Sequence, residues 1–252
     1  MKKLHLLLCM LCLVVLAACS KKSEQNYSSG ADQSSAAEAA NDANTDVASN
    51  ERLGTAWGDE VSSHVTQVDL KRESSQPVAE SILRYASKDY QGRPVNSIAV
   101  LAGKVSFSVV DDQGNLLPIY RVADQYYLAA QQGQSYQLSY ENHTGKTYEV
   151  VASVDGLDVL DGQAASRSKG GYVLKPYSTL TIEGFRKSDS AVASFTFSRP
   201  DDAYAANSDH GSKDNTGIIG TAIYVLKAPE AEKNSESKYA PPPKPKAFPA
   251  DS

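Results

Sequence analysis

The chain has 252 residues, a formal net charge of −5, three cysteines and a single tryptophan against 14 tyrosines. This mildly acidic balance excludes nucleic acid and anionic membrane surfaces as natural partners, because affinity for phosphates comes from clustered Lys and Arg. Abundant tyrosine suits strands, interfaces and sugar contacts alike and does not choose among them.

The N-terminus opens with Lys2 and Lys3, followed by an apolar run from Leu4 to Leu16 broken only by His5, Cys9 and Cys12. Ala17 and Ala18 then lead directly into Cys19. A positive start, a short apolar stretch and small residues before a cut site make residues 1–18 a secretory signal peptide. The run is too short for a transmembrane helix, which needs roughly 20 apolar residues to cross ~30 Å of hydrocarbon.

Leu16-Ala17-Ala18-Cys19 resembles the lipobox of bacterial lipoproteins. That resemblance implies a cysteine diacylated, exposed by signal peptidase II and then N-acylated. A single acyl chain holds a bilayer marginally, at about 0.8 kcal/mol per buried CH₂, whereas two or three chains anchor stably. Ser20 stands where such lipoproteins carry an aspartate for inner-membrane retention, so the expected location is the periplasmic face of the outer membrane. Lys21 and Lys22 leave the inner membrane open as the alternative.

Cleavage before Cys19 removes Cys9, Cys12, Lys2 and Lys3, leaving one cysteine and taking the net charge from −5 to about −7. No disulfide can then form within one chain, although the expected compartment permits them. Cysteine metal sites and cysteine nucleophiles are excluded as well.

From Cys19 to residue 51 the chain is polar and alanine-rich, with Tyr27 its only aromatic residue and Val47 its only large aliphatic one. Such a segment buries too little apolar area to offset its ordering entropy and is expected to be a disordered tether. About 30 residues of this kind average roughly 30 Å end to end and reach ~100 Å when stretched.

Residues 52–227 form the expected folded domain. Gly54-Thr55-Ala56-Trp57-Gly58-Asp59-Glu60 opens it, and Trp57 reads either as a stacking platform or as a ring over the core edge. Alternating runs follow at Val65 to Leu70, Val105 to Val109, and Tyr136 to Tyr140. Further runs lie at Thr147 to Val154, Gly171 to Leu174, Thr179 to Ile182, Ala193 to Phe197, and Ile218 to Leu226. Period-two runs rich in β-branched and aromatic residues predict half-buried strands. Asp112-Gln113-Gly114-Asn115, His143-Thr144-Gly145 and Asp155-Gly156 supply turn chemistry between them. Pro77 to Ser87 is compatible with either a helix, through Val78, Ile82 and Tyr85, or a strand. The expected fold is all-β: an antiparallel β-sandwich, or something barrel-like, of about nine to eleven short strands. Residues 228–252 turn polar and then proline-rich, Pro241-Pro242-Pro243-Lys244-Pro245-Lys246, which predicts polyproline II or disorder. This tail reads either as a solvated end or as a docking segment for an envelope partner.

Asp155, Asp158 and Asp161 are the weak candidates for a hard cation, since calcium takes clustered carboxylates, but ordinary turns explain the same residues. Neither a metal nor any other cofactor is expected. The stretch Asp201 to Asn215 is a long loop between two strands and carries the candidate binding residues Tyr204, Asp209, His210 and Asp214 alongside Trp57. Of catalytic motifs, only Ser166-Arg167-Ser168-Lys169 matches a Ser-x-x-Lys pattern, and no Lys-Thr-Gly element supports it. His64, His143 and His210 belong to no motif with a mechanism.

The stretch Tyr148 to Val159, then Gly171-Tyr172-Val173-Leu174, Ile182-Glu183-Gly184-Phe185-Arg186, Ala191 to Phe195, Asp202-Ala203-Tyr204-Ala205 and Gly217-Ile218-Ile219-Gly220 resembles a family of uncharacterised bacterial β-rich proteins. The resemblance spans roughly Thr147 to Leu226 and implies a domain without implying an activity. The functional expectation is a membrane-anchored envelope lipoprotein whose β-sandwich binds a protein or glycan without catalysis. An enzyme using the Asp201 to Asp214 loop on cell-wall material is the first alternative, and a structural spacer of the envelope is the second.

Overall fold

The structure is a computed structural model and describes residues 51–227. The signal segment, Cys19, most of the tether and the proline-rich tail lie outside the described residues. The domain is a two-sheet β-sandwich. Its strands in chain order are β1 (Gly54–Ser62), β2 (Ala79–Ala86), β3 (Ile98–Val100), β4 (Val105–Val110), β5 (Ile119–Val122), β6 (Gln125–Ala129) and β7 (Ser135–Asn142). They continue with β8 (Tyr148–Val154), β9 (Leu157–Asp158), β10 (Tyr172–Leu174), β11 (Thr179–Ile182), β12 (Gly184–Ser188), β13 (Ala191–Ser198) and β14 (Ile218–Val225).

One sheet runs β1-β13-β7-β4-β3, with β11 paired to β7 and β12 to β13. The other runs β10-β8-β14-β2-β6-β5, with β9 paired to β8. All pairs among the described strands are antiparallel except β2 with β6, which is parallel from Leu83↔Tyr126 to Ala86↔Ala129. The exception has a topological cause. Between β2 and β6 the chain crosses to the opposite sheet for β3 and β4, returns along the outer edge as β5, running opposite to β2, and reverses in a hairpin so that β6 runs alongside β2 in the same direction.

Period-two burial decides each strand's orientation. Val105, Phe107 and Val109 of β4 point inward, as do Tyr136, Leu138 and Tyr140 of β7. Tyr136 stacks on Phe197 at 4.1 Å and on Phe195 at 5.2 Å, while Phe107 stacks on Tyr140 at 4.8 Å. Rings of this size dominate core energetics, each contributing about 1.5–3 kcal/mol by area alone.

Four sequence expectations change at the element level. Pro77 to Ser87 is a strand: Leu83 and Tyr85 are buried, whereas Val78 and Ile82 are 42% and 54% exposed and form no helical face with Tyr85. Val65 to Leu70 is not a strand. It carries the chain from one sheet to the other, touching the first only where Val65 N–H donates to the Asp189 carbonyl, and it leaves Val68 exposed. The described strands number 14, above the expected nine to eleven, because short pieces such as β3 and β9 have too few residues for a readable alternation. The sheets stay open, so the sandwich form of the expectation holds and the barrel form does not.

Candidate functional site

Asp155 and Gly156 form the tight turn between β8 and β9, and both have left-handed backbone, at φ 53° and 77°. That is the conformation favoured in two-residue hairpin turns. It buries the Asp155 side chain, whose Oδ1 accepts from Tyr85 Oη–H at 2.6 Å and from Gly217 N–H at 2.8 Å. Its Oδ2 accepts from Thr55 N–H at 2.7 Å. One carboxylate thus ties the starts of β1 and β14 to the end of β2. Burial raises its pKa from the ordinary value of 3.8 to about 6, against the lowering effect of the Tyr85 hydroxyl and the backbone amides. Thr55 Oγ1 extends the network to the hydroxyls of Tyr85 and Tyr136, both at 2.7 Å.

Fixing Thr55 fixes Trp57, two residues further along β1. The loop from β13 to β14 folds over this end through three short 3-10 turns, Pro200–Asp202, Tyr204–Ala206 and Lys213–Asn215. Ala203 and Ala205 are buried, which leaves Tyr204 turned across the strand end with its ring centroid 4.6 Å from that of Trp57. Tyr204 also packs on Phe185 at 5.1 Å, and Phe185 meets Phe195 edge-on at 5.1 Å. A continuous aromatic ladder therefore runs from Tyr136 in the core to Trp57 at the surface. Trp57 is 46% exposed: one part of the ring packs against Tyr204 and the rest is offered to solvent.

The other loop candidates do not join this pair. Asp209 and His210 are exposed, and no hydrogen bond links the side chains of Asp209, His210 and Asp214 to one another among the described residues. Asp214 is held elsewhere, its carbonyl accepting from Arg52 at 2.9 Å. Asp201 pairs with Lys213, and Asp202 with Arg199 at 2.9 Å. The loop is an ion-paired cover over the strand ends.

The three aspartates proposed for a cation are spent on protein donors. Asp158 Oδ1 accepts from Leu160 N–H at 2.9 Å, and burial raises its pKa against that bond. Asp161 accepts from Lys169 Nζ at both carboxylate oxygens, each at 2.7 Å, and from Gln163 N–H at 3.0 Å; burial raises its pKa, but Lys169 and the Gln163 amide together outweigh this and hold it below the ordinary value. No cluster of three or more metal-ligating side chains occurs among the described residues. Lys169 is thereby removed from Ser166, whose hydroxyl meets Ser168 at 2.9 Å, so the Ser-x-x-Lys match has no nucleophile–base contact.

Two arrangements were not legible in sequence. Ser106 Oγ lies 2.7 Å from His143 Nε2, and Glu141 Oε1 lies 3.8 Å from His143 Nδ1. The second distance is too long for a hydrogen bond. Ser106 also sits in mid-sheet between β3 and β7, where ladder bonds engage the backbone amides that an oxyanion would need. The other arrangement is a cleft of about 580 Å³ beside β2, with Glu80, Arg84, Asp124, Tyr126 and Arg167 in its lining. Its residues come from six separate parts of the chain, so no local motif announces it.

Comparison of the chain with family models, with curated proteins and with solved structures returns no match.

Proposed function

We propose that this chain is an envelope lipoprotein, anchored through lipid on Cys19 at the periplasmic face of the outer membrane, whose β-sandwich binds glycan without catalysis. The observation that carries the binding reading is the Trp57–Tyr204 step, a solvent-facing indole held against a second ring at 4.6 Å and braced to the core through Phe185. A flat aromatic face with little freedom left to lose suits stacking on a sugar ring, because rigid contact area binds with a small ordering cost. The Leu16-Ala17-Ala18-Cys19 sequence supports the anchor, and the long polar segment after it supports a stand-off from the bilayer.

The test is co-sedimentation of the purified protein with peptidoglycan sacculi, repeated with soluble muropeptides as competitors. Trp57→Ala is expected to reduce retention about tenfold with an unchanged melting temperature. Equal retention of wild type and variant, or none of either, would remove the glycan reading.

A further inference from the structure

The vacant edge of β2 carries a second inference, independent of Trp57. β2 pairs with β14 from Ala79 to Arg84, but its other neighbour, β6, begins only opposite Leu83. Beside Ala79 to Ile82 the strand order therefore has a gap. The register says which backbone groups face it. Tyr85 N–H donates to the Gly217 carbonyl, so in this antiparallel ladder the odd-numbered residues of β2 address β14. The N–H and C=O groups of Glu80 and Ile82 point into the gap, and the cleft of about 580 Å³ lies there.

An unpaired strand edge is a template for another strand. The walls say what kind. Arg167 is occupied by Glu80 and Asp124 faces Arg121, whereas Arg84 has no ion pair among the described residues. The cleft's uncompensated charge is thus one guanidinium, placed where the gap ends against the β5–β6 turn. On the inner side, Ser81 Oγ is buried without a hydrogen-bond partner among the described residues and also lines the cleft. A buried hydroxyl left unpaired costs about 1–3 kcal/mol, which a ligand's hydroxyl or amide would recover.

We propose that this slot receives an extended peptide from a protein partner, running parallel to β2 in line with β6 and ending in a free carboxylate at Arg84. Its backbone pairs with Glu80 and Ile82. One outward side chain rests on Ile82, and one short hydroxyl-bearing side chain turns inward toward Ser81. Four residues of gap correspond to roughly 13 Å of strand, so a peptide of four to six residues suffices.

The full chain in detergent is probed on an array of hexapeptides with free C-termini, each duplicated as its C-terminal amide. A subset rich in Ser or Thr at one fixed position is expected to bind, at least about tenfold more strongly as acids than as amides. Arg84→Ala should abolish that difference. Ile82→Pro, which removes an edge N–H together with the side chain the peptide rests on, should weaken acids and amides alike, and Trp57→Ala should leave both unchanged. Folding of each variant is checked by its melting temperature. Absence of binding, equal binding of acids and amides, or insensitivity to Ile82→Pro overturns the proposal. Binding that appears only after residues 228–252 are removed also overturns it, by giving the slot to this chain's own end.

Discussion

At Asp155 a buried carboxylate meets hydroxyl and amide donors but no cation, and its titration follows from that. Burial disfavours the charged form more than the donors favour it, so the folded-state pKa of about 6 exceeds the ordinary 3.8. A carboxyl raised on folding contributes stability that is full below about pH 4 and is lost as pH rises through about 6. The two values bound a loss on the order of 3 kcal/mol. Chemical denaturation from pH 4 to 7 is expected to show a decline that Asp155→Asn lacks; parallel curves for the two proteins would contradict it. The same variant should be less stable at every pH. An amide NH₂ in place of Oδ2 leaves Thr55 N–H without an acceptor, at a cost of about 1–3 kcal/mol. Trp57 is the opposite kind of residue: it is 46% exposed, so its replacement by Ala is expected to leave the melting temperature unchanged. The aromatic pair was only half legible in sequence: Trp57 and Tyr204 each stood out by composition and loop position, but Phe185, which braces them, looked like any strand residue.

At the scale of elements, the segment from Gly162 to Gly171 has no regular structure, yet it is pinned to the outer face of β8 and β14. Arg72 does this. Its guanidinium lies 3.6 Å over the Tyr224 ring, bonds Glu149 at 2.5 Å and reaches the carbonyls of Arg167 and Lys169. Glu149 Oε1 accepts in turn from Gly171 N–H at 2.7 Å. Because the pair is mostly shielded from solvent, Arg72→Ala leaves a carboxylate without its counter-charge and should destabilise the domain by about 3–5 kcal/mol in urea titration. Combining Arg72→Met with Glu149→Leu should recover part of that loss, whereas a pair that acted only through surface charge would show no recovery. Sequence patterns identified strands where alternation was long, as in β4, β7, β8 and β14. They missed β1, whose Gly54, Gly58 and Asp59 dilute the pattern, and they invented one at Val65 to Leu70. In both places the deciding factor was whether a partner edge lay alongside, and alternation cannot report that.

At the scale of the whole molecule, no disulfide reinforces the folded domain, because cysteine is absent from residues 20–252. Adding a reductant is expected to leave the melting temperature unchanged. Phe197→Ala, which opens a cavity under Tyr136 and Tyr85, should cost about 3–5 kcal/mol in the same titration. On the proposed lipidation, anchoring is separable from folding. Cys19→Ala should abolish incorporation of labelled palmitate and release the protein from the membrane fraction with its melting temperature intact, and retained label would refute lipidation. Both outcomes follow from the proposal because about 30 polar residues stand between Cys19 and the domain.

The sequence by itself determined the class of fold, the absence of cysteine from the folded domain and the expectation of an anchored, exported chain. These depend on composition, on period-two runs and on a short contiguous signal, all of which can be read one residue after another. Tertiary structure alone decided that β2 pairs in parallel with β6 and leaves the edge backbone groups of Glu80 and Ile82 unpaired among the described strands. It alone stacked Tyr204 on Trp57 and set Arg167 beside Glu80 in one cleft. Those juxtapositions join residues tens to more than a hundred positions apart, and they follow from which strand edges the sandwich brings together, a property of the assembled sheets and of no single segment.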